Sequence, residues 1–246
     1  VGVVGGELRV VSSDGTTPVE SLYWRYELSL KLLESRLNCV LGAVGANYAV
    51  RRSLFQFQKP SFAEDFQLPM EIRHAGSRVV YDSAASAIEG AAPTFSAEFQ
   101  RRVRIGAADY QILFHNPQFL NPLKGMVAFS YFSHKVLRWL GPFFLAIAFA
   151  CNVLLISSPI YLGLLLAQAI FYALAVCVYW MKESGRKVGI ASIPLYFSAM
   201  NLALFCGMLR YLSGRQKMAW DVTPRKEDAQ MIPVAPEAGM KTLGKE

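Results

Sequence analysis

The sequence predicts an α/β layer, then an amphipathic helix lying in a membrane interface, then an α-helical membrane region of about three spans. Three observations carry this reading. Strand-like and helix-like patterns alternate through the first half, from Gly2 to Phe114. No Asp, Glu, Lys or Arg occurs from Leu140 to Met181, nor from Val188 to Leu209. Between the two regions, Leu123 to Leu140 sorts cationic and apolar residues onto different helix faces. The implied division is a polar part over 1–116, an interfacial helix over 117–139, a membrane region over 140–212 and a polar tail over 213–246.

In chain order, Gly2 to Val11 reads as a buried strand ending at the turn signal Ser12-Ser13-Asp14-Gly15. Tyr23 to Leu37 reads as an amphipathic helix. Leu22, Tyr26, Leu30 and Leu33 recur at helical spacing for its core face, and Arg25, Lys31, Glu34 and Arg36 supply the polar positions. Val40 to Arg52 carries the small residues Gly42, Gly45 and Ala46 before Tyr48-Ala49-Val50, which predicts a strand closely approached by another element. Phe62 to His74 predicts a second helix, Arg78 to Asp82 a short strand, and Glu98 to Phe114 a third helix that is strongly basic at its start.

The interfacial helix would place Lys124, Tyr131, Lys135 and Arg138 on one face and Phe129, Val136 and Leu140 opposite, with the cations toward anionic lipid. An ordinary amphipathic helix packed on the polar part fits the same pattern. The uncharged run that follows is about twice the length of one crossing, so it must hold two spans, divided at Ser157-Ser158-Pro159. Trp139, Tyr161, Tyr179, Trp180 and Tyr211 fall where interfacial aromatic belts would put them.

Lys135 and Arg138 precede the first span and Lys182, Arg186 and Lys187 follow the second, which orients the polar half toward the cytoplasm. A third crossing over Val188 to Leu209 would then send Arg210, Arg215, Lys217, Arg225 and Lys226 to the opposite side, against the same rule. Either one run is re-entrant or interfacial, or the tail is translocated despite its charge. Pro194 marks the third run as a candidate for a broken or shallow helix.

Hydrophobic residues make up 53% of the chain and charged residues 17%, so a polar domain must accompany the spans. The net charge of +7 comes from basic residues flanking apolar runs rather than from an arm or aromatic-studded patch, which points to membrane lipid and away from nucleic acid. The four cysteines include no CxxC pair, and Cys151, Cys177 and Cys206 lie in apolar runs, so neither a disulfide frame nor a zinc site is expected.

Three short stretches carry candidate chemistry. Gly45, Ala46 and Asn47 are small enough to let a substrate reach the backbone. Glu64 and Asp65 follow the Pro60-Ser61 turn, and one of these carboxylates is suited to general-base work, although acids at a helix N-terminus also complement its dipole. Arg101, Arg102 and Arg104 form a cationic turn at the expected helix start, where the dipole disfavours cations, which suggests an anionic partner such as a diphosphate. A solvated or lipid-facing basic face fits those arginines too. His74, His115 and His134 show neither metal-ligand spacing nor a paired nucleophile and receive no catalytic role.

The order of these stretches resembles the family 2 glycosyltransferases, and among them the membrane-bound polysaccharide synthases. Val3-Val4-Gly5-Gly6 looks like the family's strand after its metal-binding acids, and Tyr23-Trp24-Arg25-Tyr26-Glu27 like the helix that follows. Asp65 falls on the family's Glu-Asp base, and Ser133-His134-Lys135-Val136-Leu137-Arg138-Trp139 looks like its lead into the membrane. The resemblance runs from Val1 to about Trp220 and departs from the family in two places. Of the synthases' Gln-x-x-Arg-Trp motif only Arg104 matches, so processivity is not implied. The nucleotide-binding half and its Asp-x-Asp metal site would lie before Val1, and the chain, which lacks an initiator Met, is expected to be a C-terminal fragment.

The resemblance implies part of a GT-A domain at the cytoplasmic membrane, facing the cytoplasm. It implies an inverting transfer of sugar from a nucleotide-sugar donor to a glycan or lipid-linked acceptor. Asp65, with Glu64 beside it, would take the acceptor proton; Gly45, Ala46 and Asn47 would line the acceptor; Arg104, with Arg101 or Arg102, would hold the leaving diphosphate. A divalent metal, Mg or Mn, is implied for the full-length enzyme, with its ligands absent from this chain. A polyprenyl-phosphate sugar transferase and a non-enzymatic membrane scaffold remain open as alternatives.

Overall fold

The computed structural model describes residues 1–11, 20–55, 63–90, 92, 94–186 and 188–215. The Ser12 to Gly15 turn, the Pro60-Ser61 turn, the side chains of Leu22 to Arg25, Lys187 and the tail basic residues Lys217, Arg225 and Lys226 lie outside them.

The first half builds a small mixed sheet with helices packed on it, and the described residues are mostly helical. Strand β1 (Val3–Val11) is central. β2 (Tyr48–Val50) pairs antiparallel with it, Val3 opposite Val50, and β3 (Val79–Gly90) pairs parallel, Val3 opposite Val79. The register of β3 jumps between Gly6 opposite Asp82 and Glu7 opposite Ser86, leaving Ser83, Ala84 and Ala85 as a bulge. β3 runs well past the expected end at Asp82. Its second half, Ser83 to Gly90, is mostly exposed small or polar residues with no apolar alternation, so only pairing with β1 makes it a strand.

Helix α1 (Glu20–Arg36) follows β1, and α2 (Glu64–His74) covers the sheet with Leu68 and Ile72 against Val3, Val40 and Val79. The small residues of the Val40 to Arg52 stretch are approached by α2: a Cβ on Gly42 would meet the Phe66 ring and one on Gly45 the Asp65 carboxylate. Most of that stretch is loop, with only Tyr48–Val50 in the sheet. α3 (Phe95–His115) starts earlier than expected, because Thr94 accepts a hydrogen bond from the Ala97 N–H and so caps it.

Two expected helix faces are reversed. On α1, Tyr26 and Leu33 are exposed while Glu27 is buried. On α4 (Met126–Trp139), Met126, Phe129, Phe132 and Leu137 are exposed while Tyr131, Val136 and Trp139 are buried. Lys135 and Arg138 reach inward to Glu27 of α1 rather than out toward lipid headgroups. The physical reason is pairing: Glu27 and Glu34 of α1 face His134, Lys135 and Arg138 of α4, so these charged groups lie inward beside Tyr131, Val136 and Trp139. A π-helical turn at Tyr131–Val136 fits one more residue into the inward side.

Past α4 come α5 (Gly141–Leu154), α6 (Pro159–Glu183) and α7 (Ile193–Leu212). Among the described residues two segments, Pro159–Glu183 and Gly189–Leu212, are long and apolar enough to cross a membrane, and there is a third if α4 and α5, bent by 58°, count as one span. α5 alone has 14 residues, about 21 Å, and falls short of the roughly 30 Å hydrocarbon core. Pro142 in its first turn explains the bend, since it lacks the N–H that would continue α4. Pro159 opens α6 at the expected break.

The two halves meet along α3 and α7. Tyr196 and Tyr211, near the two ends of α7, lie against Arg102 and Phe114 of α3. Midway, a Cβ on Gly207 would stand 2.7 Å from Gly106 and Ala107 backbone atoms and 2.8 Å from the Val103 carbonyl oxygen. Gly207→Val should therefore force the helices apart and destabilise the protein by about 1–3 kcal/mol, read as a fall in the detergent melting temperature. Gly163→Ala, at a site with nothing within 4 Å, should leave the melt unchanged or slightly raised.

Candidate active site

Asp65 sits in the first turn of α2, and its Oδ2 accepts the Gly45 N–H at 3.0 Å. The Ala43 N–H donates to the Asp65 carbonyl at 2.9 Å, so one residue ties the loop before β2 to the helix start by both side chain and backbone. Burial lifts the Asp65 carboxyl above the usual aspartate range, against the pull of the Gly45 hydrogen bond and the Lys31 charge. Glu64, one residue earlier, is exposed. A carboxylate oriented by a backbone donor and raised by burial has the two properties a general base needs.

The acceptor stretch divides. Gly45 lies directly against Asp65, whereas the Asn47 side chain is used by the sheet: its Nδ2 donates to the Ala85 carbonyl at 2.9 Å and so holds the bulge of β3. Ala46 lies between them in the turn that leads to β2.

The arginines are not at a helix start. With α3 beginning at Phe95, they occupy its second and third turns, and Glu98 supplies an anionic partner from the first. Arg101 Nε and Nη2 each donate to Glu98 at 2.8 Å, and Arg102 Nε donates at 2.6 Å. The unfavourable placement inferred from the sequence is removed by this pairing, which the period of an α-helix brings about at i,i+3 and i,i+4. Arg104 is half-buried, about 140° around α3 from Asp109.

Sequence reasoning missed the groups that surround Asp65. Asp109 of α3 is half-buried with its carboxyl pushed up to about 7, by burial first, with Arg138 and Lys135 drawing it down and Asp65 raising it further. Lys31 of α1 is pushed down to about 8 by burial and by Lys135, with Glu27, Glu34 and Asp65 opposing. Asp65, Asp109 and Lys31 thus form one electrostatic group drawn from three helices. The available signal was an isolated acid inside the small-residue run Gly106-Ala107-Ala108-Asp109-Tyr110, where a packed helix face leaves little room for solvent.

Behind this group lies a buried charge network. Glu27 Oε1 accepts from Lys135 Nζ at 3.0 Å, and Oε2 faces His134 Nε2 at 3.0 Å and Arg138 Nη1 at 3.2 Å. His134 Nδ1 faces Glu34 Oε1 at 2.6 Å, and the Ser130 hydroxyl donates to that same oxygen at 2.5 Å. The His134 ring is thus held between two carboxyl groups of α1, one at each ring nitrogen. His134 therefore acts as a structural bridge between α1 and α4. Among the described residues no group of three or more His, Cys, Asp or Glu could hold a metal ion.

Compared with models of protein families and with curated protein sequences, the chain matches none.

Burial alone would raise the Glu27 carboxyl, but the His134 hydrogen bond and the Lys135 and Arg138 charges more than offset it and hold it far below the usual 4.5. A depressed carboxyl stabilises the fold fully above its unfolded value and loses that contribution as pH falls below about 4.5. Glu27→Gln should cost about 3–5 kcal/mol at neutral pH, because it strands buried cations, and should flatten the loss of stability between pH 6 and pH 3 in parallel denaturation curves.

Proposed function

We propose that this chain is the acceptor-side part of a membrane-bound inverting glycosyltransferase, with Asp65 as the general base. The observation that carries the reading is the Asp65 carboxylate, raised by burial and aimed by the Gly45 N–H beside a loop of small residues. Its support from sequence is the resemblance to family 2 glycosyltransferases already described. Under this reading the protein works at a membrane, taking sugar from a nucleotide-sugar donor on the cytoplasmic side and delivering it to a glycan or lipid-linked acceptor.

The acceptor hydroxyl lies against Gly45 and Ala46 and gives its proton to Asp65 as its oxygen bonds to the anomeric carbon. The bond from that carbon to the diphosphate oxygen breaks with inversion, and the electron pair leaves with the diphosphate. Cations of α3 stabilise the leaving group: Arg104 keeps the assignment made from the motif, while Arg101 and Arg102 would have to share their charge with Glu98. A divalent metal would neutralise the diphosphate from ligands outside this chain, and the steps assigned to the present residues do not depend on it. Lys31, with Glu64 opposing it, sets the charge beside which Asp65 loses and regains its proton.

Asp65→Asn keeps the shape and abolishes the base, so sugar transfer by the intact protein in membranes should fall by roughly 10² to 10⁴ with donor affinity little changed. Glu64→Gln, at an exposed position, should retain most activity. Arg104→Ala should lower both turnover and affinity for the product nucleotide. Because catalysis needs the ionised carboxylate and burial raises it, the acidic limb of the kcat/KM profile should stand above the ordinary aspartate value of 3.8. Near-normal transfer by Asp65→Asn would refute the catalytic assignment.

A further inference from the structure

α7 is apolar enough to cross a membrane, and its length permits it. Its neighbours do not. Tyr196, in the first turn of α7, meets Arg102 of α3, and Tyr211, in the last turn, stacks on Phe114 of the same helix at 5.7 Å. Leu204, Met208 and Tyr211 also pack against the core of the polar half, with Leu41, Met70 and Tyr110. The preceding helix ends at the same place, with Tyr179 5.8 Å from the Phe95 ring and Lys182 Nζ 5.2 Å from it. α7 therefore starts and finishes against one helix of the polar half.

A crossing would separate Tyr196 and Tyr211 by about 22 Å in depth. It would carry α3, with Glu98, Arg101, Arg102, Arg104 and Asp109, into the hydrocarbon. A single central charge costs about 2.5–3.5 kcal/mol even on the mildest scale, and five ionisable groups on one helix make that placement untenable. We infer that α7 does not span the membrane but lies in its interface on the side of the polar half, bedded on lipid by Ile193, Leu202, Leu209 and Leu212, which are exposed.

The lipid surface as occupant follows from continuity. The exposed apolar side of α7 adjoins the α5–α6 hairpin, where Phe143 packs on Phe205 and Phe171 on Phe197, so the bilayer that receives the hairpin also reaches α7. The hairpin enters and leaves on the side of the polar half, with Arg138 at its entry paired to Glu27 and Lys182 at its exit over the Phe95 ring, so Lys182, Arg186, Arg210 and Arg215 share one side and the uncharged Leu155 to Ser158 turn points away from it. The conflict raised by three crossings disappears. This inference rests on membrane insertion and is independent of whether the protein transfers sugar.

Spin labels at Phe197→Cys and Leu212→Cys in the full chain, reconstituted in phospholipid vesicles, test it through their immersion depths measured by oxygen and nickel-chelate relaxation. An in-plane helix places the two labels within one helix diameter, about 10 Å, of the same depth, whereas a crossing separates them by about 22 Å and overturns the proposal. In sealed vesicles of one orientation, an impermeant maleimide should label Ser184→Cys and Ser213→Cys from one side and Ser158→Cys from the other. Labelling of Ser213→Cys together with Ser158→Cys, and apart from Ser184→Cys, would equally overturn it.

Discussion

The rest of the structure depends on the backbone approach of α3 and α7 at Gly106 and Gly207. Helices this close exclude side chains from the crossing point, so the contact fixes the rotation of both about their axes. Once α3 is fixed, Asp109 and Tyr110 turn toward α4 and the core, and Tyr110 donates its hydroxyl proton to the Trp139 carbonyl at 2.5 Å. Trp139 ends the helix that supplies Lys135 and Arg138, so the same contact that joins polar and apolar halves also positions the charged groups around Asp65.

Much of the local structure was legible because it follows from short-range chemistry. The Val-rich opening of β1, the break at Pro159 and the helix of Glu64 to His74 all come from periodicity, or from what proline cannot do. The approach of α2 to Gly42 and Gly45 was legible as well, since a run of small residues marks where a neighbour comes close without naming it. What escaped was long-range. The acids of α1 face inward only because cations more than a hundred positions later meet them, and a helical wheel drawn for Tyr23 to Leu37 alone assigns Tyr26 and Leu33 to the core by default.

The candidate site shows the same division. Asp65 could be chosen from the sequence, as an acid pair at a helix start, whereas its environment could not. Asp109 comes from another helix and Lys31 from a third, while Glu98, the first residue of the expected helix, stands inside a boundary that lies one turn earlier and pairs with Arg101 and Arg102. That boundary mattered because the inference of an external anion rested on where the helix began, and Thr94 moves the beginning. The charge pattern of α4 misleads in the same way, because Lys135 and Arg138 turn inward while Phe129, Phe132 and Leu137 are exposed.

The Glu27–His134 contact closes a loop of 107 residues, which also sets a schedule. A ribosome adding about 5–20 residues per second needs roughly 5–20 seconds to make His134 after Glu27 has emerged. Throughout that interval the inward side of α1 carries acids with only Lys31 of the same helix, and none of the cations of α4, to meet them, and its outward side shows Tyr26 and Leu33 to water or to lipid. The sheet has by then been able to form, since β1, β2 and β3 are complete by Gly90. The order of synthesis is thus strands first and the cations of the charge network after them, with α4 arriving as the clasp immediately before the apolar hairpin.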